Sequence, residues 1–357
     1  MFGADDGPMD LIRVGEHLIG EGQPCFVAAE VGINHNGDME LAHRMIDEAA
    51  DAGADGVKFQ NYRTEDFLLD RSITYEYVSE GKSLIESQYE MFRRYELDPD
   101  DLLELRQHCA ERDVAFLSTP TSQDGIDDLV RVGADMLKNG SDFLGNLRLI
   151  QTMARTGLPT VLSAGMATLA EIDNAVRAFR EAGGNDLVLL HCTSLYPAPN
   201  EEVHLRKIPV LSAAFGCLVG FSDHTIGIEA AMGSCALGAC FIEKHFTLDK
   251  SLPGPDHRFS ADPAELLHLS EALRRLEACL GRSAIGLTAP EIASRDAFRL
   301  SCVAARDLPK GHRLSKSDIT FAKPGTGLPP KLVGQLLGLH LTRSVTAGHV
   351  LRHEDLG

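Results

Sequence analysis

The sequence predicts an α/β protein, a closed (β/α)8 TIM barrel followed by a small, mostly β module. Three observations carry that expectation. Short β-branched apolar runs alternate with longer helical patterns. Eight such runs occur, most of them roughly 20 to 30 residues apart, as in a barrel of about 250 residues. Polar residues gather at the C-terminal ends of these runs, where a barrel keeps its active site.

The chain before the first strand contains Ile12–Ile19, which reads as a hairpin strand closing the bottom of the barrel. The eight strands are then expected at Phe26–Gly32, Gly56–Gln60, Ala115–Pro120, Met136–Ser141, Thr160–Met166, Leu187–Ser194, Leu218–Thr225 and Phe241–Thr247. Helical patterns fall at Asp38–Ala52, Asp100–Arg112, Thr168–Ala182 and Ile226–Leu237, and glycines 53, 133, 184 and 238 mark the returns. One connection, Asn61–Asp98, is long, about 38 residues, and holds five of the six tyrosines; a loop of that length is expected to be functional or ordered over a site. After the helical pattern Pro263–Leu280 the character changes. Residues 1–281 form the expected barrel domain, 282–295 a Gly/Pro-containing linker, and 296–357 a module of short strand and turn signals with no long helix. A module of that size is marginal alone, so it is expected to pack on a barrel.

Composition excludes several classes. With 34 Lys plus Arg against 52 Asp plus Glu, the net charge of −18 repels nucleic acid and anionic membranes. No apolar run reaches the roughly 18 to 20 residues that span a bilayer, and Met1–Pro8 carries Asp5 and Asp6 where a signal peptide carries basic residues, so a cytoplasmic protein is expected. The eight cysteines contain no C-x-x-C pair and read as reduced thiols in apolar segments, without a disulfide framework or structural zinc.

Chemistry is expected where the strands end. Phe221-Ser222-Asp223-His224 and Ile242-Glu243-Lys244-His245 put His224 and His245 at matching positions on neighbouring strands, roughly 5 Å apart. Ser222 shares the face of His224, and Glu243 that of His245. Two imidazoles with open coordination positions suit a catalytic Mn²⁺ or similar ion better than a closed zinc site. Lys58 and Gln60 share an inward face on the second strand, and Lys138 and Ser141 end the fourth. Buried lysines need an anion: a phosphate and carboxylate pocket completed by Ser163, Ser194 and Ser222, or structural ion pairs with Glu30 or Glu243. A third reading makes one lysine a Schiff-base nucleophile, as in an aldolase. Glu30, at the end of an apolar strand, is placed for proton transfer, because burial raises a carboxyl pKa. Its alternatives are an ion pair with Lys58 or a helix cap, which Asp38 could supply instead.

The motifs Ala29-Glu30-Val31-Gly32-Ile33-Asn34-His35-Asn36-Gly37-Asp38, Val57-Lys58-Phe59-Gln60, Leu162-Ser163-Ala164-Gly165-Met166, His191-Cys192-Thr193-Ser194-Leu195-Tyr196-Pro197, Gly220-Phe221-Ser222-Asp223-His224-Thr225, Glu243-Lys244-His245-Phe246-Thr247 and Pro253-Gly254-Pro255-Asp256 occur in this order on successive strand ends. In this the chain closely resembles the sialic acid synthase family, legionaminic acid synthase-like members included. The tail around Lys323-Pro324-Gly325-Thr326-Gly327 resembles the family's antifreeze-like (SAF) domain. The resemblance implies a transferase that condenses phosphoenolpyruvate with N-acetylmannosamine or a related acetamido sugar and water, giving a nine-carbon 2-keto acid and phosphate, with Mn²⁺ or Mg²⁺. It implies a phosphoenolpyruvate pocket of Lys58, Lys138, Ser141, Ser163, Ser194 and Ser222, and a metal held by His224 and His245. Glu30 and Glu243 become the proton-transfer and water-orienting groups, and Gln60, Tyr196 and Asp256 match sugar-contacting positions. It also implies a domain-swapped homodimer in which Lys323 of one subunit reaches the N-acetyl group in the other. Lys323 stands where many relatives carry Arg, Ser194 replaces a usual Asn, and Lys138-Asn139-Gly140-Ser141-Asp142-Phe143 shifts the acid of its motif. These departures suggest an acceptor such as 2,4-diacetamido-2,4,6-trideoxymannose. A carbohydrate-binding protein built on the C-terminal module is a further alternative, and it leaves the ordered strand-end residues unexplained.

Overall fold

Strand order around the barrel follows chain order, as parallel strands joined by helical crossovers require. In the computed structural model, which describes residues 11–79 and 81–357, the strands are β1 (Phe26–Gly32), β2 (Gly56–Asn61), β3 (Ala115–Pro120), β4 (Met136–Asn139), β5 (Thr160–Ser163), β6 (Leu187–Cys192), β7 (Leu218–Asp223) and β8 (Phe241–His245). The sheet closes where Phe241 to His245 of β8 pair with Phe26 to Glu30 of β1. Met1–Pro8, read above as lacking a leader's basic residues, lies outside the described residues. Among the described residues no helix is long and apolar enough to cross a membrane.

The inward faces follow a period of two and change character along the barrel axis. At the bottom, Phe26, Ala28, Ala115, Leu117, Met136, Val161, Val188, Leu190, Leu218 and Phe241 form one apolar cluster. The hairpin Ile12–Val14 with His17–Ile19 plugs this end, adding Ile12, Val14 and Ile19 to the same cluster. Phe26 and Phe241 stack at 5.1 Å, with room made by glycine: a Cβ on Gly56 would lie 2.8 Å from both Leu117 and the Phe26 ring. One step up each strand the inward residues become Glu30, Lys58, Thr119, Lys138, Ser163, Cys192, Ser222 and Glu243, so the mouth is polar. Outward residues such as Val27, Val57, Phe116 and Leu189 pack under the surrounding helices.

Helix ends follow local chemistry. Asp38 caps Met39–Asp51 by accepting the Glu40 and Leu41 amides, and Thr168 with Glu171 closes a capping box on Leu169–Glu181. The helix expected from Ile226 begins only at Glu229, because Gly227 holds a left-handed φ of 88° ahead of it. The long connection is ordered rather than a bare loop. It folds as Thr64–Phe67, an antiparallel hairpin Thr74–Ser79 with Lys82–Ser87, and Gln88–Arg94, around Ile33, Tyr62, Met91 and Tyr95.

Two compact units divide at Gly281. In the second, Ala289–Phe298 is a helix, occupying the end of the stretch expected as linker, with Thr288 and Glu291 in a capping box and Pro290 in its first turn. Ser301–Ala304 then pairs antiparallel with Ile319–Ala322. This unit contains an internal duplication. Arg306, His312 and Asp318 recur with the same spacing as Arg343, His349 and Asp355, an offset of 37 residues. The backbone obeys it: Leu308 pairs with its own counterpart Val345 through two 2.9 Å hydrogen bonds, and the Gly311 amide to Leu341 oxygen bond is mirrored by Gly348 to Ala304. The two halves are therefore related by a local pseudo-twofold axis.

Candidate active site

Thirteen of the fourteen residues expected at a site line one cavity of about 380 Å³ at the barrel mouth: Glu30, Lys58, Gln60, Lys138, Ser141, Ser163, Ser194, Tyr196, Ser222, His224, Glu243, His245 and Asp256. The fourteenth, Lys323, belongs to the second unit, where its Nζ sits 5.1 Å over the Phe298 ring.

Four buried charges form the floor. Lys58 Nζ lies 2.7 Å from Glu30 Oε2 and 3.6 Å from Glu243 Oε2, while Lys138 Nζ lies 2.8 Å from Glu243 Oε1. Lys58 also donates to Thr119 Oγ1 at 3.2 Å, and Ser222 Oγ to Glu243 Oε1 at 2.8 Å. A β-bulge between Glu30 and Gly32, with Gly32 at φ 55°, turns Glu30 into the mouth. Burial pushes Glu30 above its ordinary range, with Lys58 pulling the other way. Glu243 is buried as well, but Lys138 and Lys58 overcome that penalty and hold it ionised. Lys138 likewise stays protonated, since Glu243 and Glu30 outweigh its desolvation. A Schiff-base nucleophile must be a neutral amine, so this pairing argues against the aldolase reading of Lys138.

Hydroxyls form the facing wall. Ser141 Oγ donates to Ser163 Oγ at 3.1 Å and accepts the Gly165 amide at 3.1 Å. Gly165 keeps this corner open, because a Cβ there would fall 2.6 Å from Ser141 Oγ and still nearer Ser194 Oγ. Asp142 lines the cavity too, so the displaced acid of that motif remains at the site.

Above the floor, the His224 and His245 rings stand 5.4 Å apart. Asp223 and Lys244, their chain neighbours, pair on the outer side of the sheet at 2.8 Å, and Lys244 also donates to the Thr225 carbonyl, so the two strand ends are tied together. His224 Nδ1 donates to the Thr193 carbonyl at 2.8 Å, leaving Nε2 as a lone-pair donor. Buried His245 Nδ1 has no hydrogen-bond partner, and Asp256 Oδ2 lies 3.9 Å from it. Burial, followed by the neighbouring His224 and Lys58, keeps His245 neutral. Burial and then Glu30 push Asp256 up to about 7. Tyr196 packs 4.2 Å from the His224 ring and Phe259 5.2 Å from the His245 ring. The unpartnered His245 Nδ1 and the His224 Nε2, which meets Ser222 Oγ at 3.4 Å, fit a divalent cation with carboxylates beside them.

Sequence reasoning passed over two parts of this cavity. Cys192 lies 3.9 Å from His224 Nδ1; burial raises its thiol pKa, but His224 and Lys138 together bring it down to about 6. Phe67, Tyr75, Met91 and Phe92, all from the segment between β2 and β3, form an apolar wall with Phe143 and Met166. The length of the connection was the available signal, but which side chains turn inward depends on its tertiary fold.

Residues 45–284 match the NeuB family and residues 301–357 the SAF domain. The N,N'-diacetyllegionaminic acid synthase of Legionella pneumophila is 38% identical over 94% of this chain and 96% of its own. The N-acetylneuraminate-9-phosphate synthase of Drosophila melanogaster is 33% identical over 90% of this chain and 92% of its own. Among solved structures, the N-acetylneuraminic acid (sialic acid) synthetase of Leptospira borgpetersenii in complex with citrate is 33% identical, covers 82% of this chain and 99% of its own, and superposes with a TM-score of 0.73.

Proposed function

Since the chain belongs to the NeuB family and ends in a SAF domain, we propose that this nonulosonic acid synthase condenses phosphoenolpyruvate with 2,4-diacetamido-2,4,6-trideoxymannose. The observation that carries the reading is the mouth itself: two lysines and two glutamates buried together, below a pair of histidines with a free buried nitrogen. Phosphoenolpyruvate is a compact polyanion. Lys58 and Lys138 provide its cations, and Ser141, Ser163, Ser194 and Ser222 its neutral donors. In the free protein both lysines are held by Glu30 and Glu243, so the pocket is pre-charged yet balanced, and the anion binds by sharing those ammoniums.

His224 and His245 would hold a divalent cation, Mn²⁺ or Mg²⁺, which supplies Lewis acidity at the sugar aldehyde. The remaining work falls to the chain. C3 of phosphoenolpyruvate forms a bond to the aldehyde carbon, and the aldehyde oxygen gains a proton. Water adds at C2, losing a proton, and the C2–O bond to phosphate breaks, giving the 2-keto acid and inorganic phosphate. Glu30, raised by burial, exchanges protons at the reacting atoms, and Glu243, held ionised, orients the water. Gln60, Tyr196 and Asp256 face the sugar.

The apolar wall of Phe67, Tyr75, Met91 and Phe92 supports the trideoxy sugar over N-acetylmannosamine, because a C6 methyl and a second acetamido methyl suit it better than hydroxyls do. The identity to legionaminic acid synthases points the same way. A homodimer in the cytoplasm, in which Lys323 of the partner subunit contacts the sugar, completes the proposal. The test is phosphate release from phosphoenolpyruvate with Mn²⁺, with no sugar, N-acetylmannosamine or the trideoxy sugar, each with and without EDTA. Release that needs metal and is fastest with the trideoxy sugar is expected; equal rates with both sugars would remove the acceptor assignment, and no release with either would remove the synthase reading.

A further inference from the structure

At the end of the barrel opposite the mouth, three metal-binding side chains converge from distant parts of the chain. Cys25 immediately precedes β1, Cys235 lies in the helix Glu229–Ala236, and Glu277 in the helix Pro263–Leu280. Cys25 Sγ, Cys235 Sγ and a Glu277 carboxylate oxygen all lie within 4.8 Å of one another, with both thiols buried. A zinc ion about 2.3 Å from each sulfur holds two thiolates roughly 3.8 Å apart, so small side-chain shifts close this triad onto an ion.

We propose that Cys25, Cys235 and Glu277 form a second metal site, separate from the mouth, that takes a thiophilic divalent cation of the Zn²⁺ class and clamps the first strand to the last two barrel helices. The donor set separates the two centres. Imidazole and carboxylate at the mouth suit Mn²⁺ or Mg²⁺, whereas two thiolates select zinc or cadmium. Two thiolates neutralise the dication, and the Glu277 carboxylate faces Arg274, which it shares with Asp55. Supporting contacts are already in place. Glu277 Oε1 accepts the Cys25 amide at 2.5 Å and Arg274 Nη1 at 3.3 Å. Arg274 itself is anchored on Asp55 at 3.0 Å and on the Cys25 carbonyl at 2.8 Å. Such outer contacts orient a ligating carboxylate. Binding exchanges two thiol protons for the cation, so each bound ion releases two protons. Sequence spacing conceals the site, because 252 residues separate Cys25 from Glu277.

The test is titration of metal-stripped full-length protein with Cd²⁺, following the thiolate-to-metal charge-transfer band in the ultraviolet. The expected result is a band that saturates at one equivalent, releases two protons per ion and also forms when Cd²⁺ displaces Zn²⁺ from the loaded protein. It should vanish in Cys25→Ser and in Cys235→Ser, and persist in Cys192→Ser and His245→Ala, which remove thiol or imidazole at the mouth. Failure of the band to form, its survival in both Cys25→Ser and Cys235→Ser, or its loss in Cys192→Ser overturns the proposal. Should either serine variant misfold, X-ray absorption of the parent loaded with one equivalent of Zn²⁺ decides: two sulfur scatterers at about 2.3 Å uphold the site, and a shell of nitrogen and oxygen alone rejects it.

Discussion

Two sets of buried carboxylates in this chain differ in how fully their polar surroundings are satisfied. In the second unit, Asp318 accepts from Arg306 Nε at 3.0 Å and Nη2 at 2.7 Å on one oxygen, and pairs with His312 Nε2 at 2.9 Å, the Ser315 amide at 2.9 Å and Ser315 Oγ at 2.6 Å on the other. Asp355 repeats this with Arg343, His349 and the Arg352 amide. At the barrel mouth the cations are buried along with the carboxylates, whereas Arg306 and Arg343 are more than half exposed, yet Glu243 Oε2 and His245 Nδ1 lack a hydrogen-bond partner. A closed network holds a fold together; an incomplete one, costly to keep buried, is retained where a ligand completes it. Burial and charge alone do not separate structural ions from functional ones, and the leftover valences do.

The strongest change is expected at His245. His245→Ala should leave the thermal midpoint nearly unchanged, abolish Mn²⁺ binding at the mouth and lower phosphate release by about 10³-fold or more. Turnover within a few-fold of the parent would show that the unpartnered nitrogen is idle. The paired variant Glu30→Gln/Lys58→Met comes next. It should cost at least about 10²-fold in turnover, while denaturant titration gives stability unchanged or raised by about 1 to 2 kcal/mol, since replacing a buried ion pair as a unit is often neutral or favourable. A loss of about 3 kcal/mol would instead make the pair structural, like the Asp318 network.

Asp318→Ala tests the other side and should cost the second unit about 1 to 2 kcal/mol, because the Ser315 amide and hydroxyl lose their acceptor while exposed Arg306 turns to water. The same network predicts a pH dependence. Its hydrogen bonds from Ser315 and His312 hold Asp318 well below the usual carboxylate range, and donors from His349 and Arg352 overcome burial to lower Asp355 as well. A depressed folded pKa gives stability that is full above the unfolded value of about 4 and is lost as pH falls below it. Acid titration followed by circular dichroism should show this loss in the parent and a shallower one in Asp318→Ala. The smallest effect is expected at Lys323. Lys323→Ala should raise the sugar KM by up to about tenfold with the phosphoenolpyruvate KM little changed, and a change confined to phosphoenolpyruvate would sink the sugar contact.

The barrel was legible because strand burial and strand chemistry share one period. Phe26, Ala28 and Glu30, or Gly56, Lys58 and Gln60, can be assigned inward from alternation alone, and their polar members then mark the mouth. The same rule aligns His224 with His245, and the strand register Ser222 to Glu243 and Asp223 to Lys244 agrees. Features made by chain crossings were not legible. The wall of Phe67, Tyr75, Met91 and Phe92 depends on how the β2–β3 segment folds back, and the triad of Cys25, Cys235 and Glu277 exists only once the barrel closes. The helix Ala289–Phe298 is masked for a different reason: Gly286 and Pro290 read as breakers, although Pro in a first turn beside a Thr288/Glu291 capping box is a helix start.

The pseudo-twofold axis of the second unit places equivalent positions of its two halves opposite one another. Because Leu308 pairs with Val345, its own counterpart, each half offers the edge that the other needs. Self-complementarity of this kind is what an isologous dimer of two identical short peptides requires. The unit has the geometry of such a dimer carried on one chain, and what the halves share is the Arg, His and Asp network inside each of them, while Leu308 and Val345, which meet across the axis, differ.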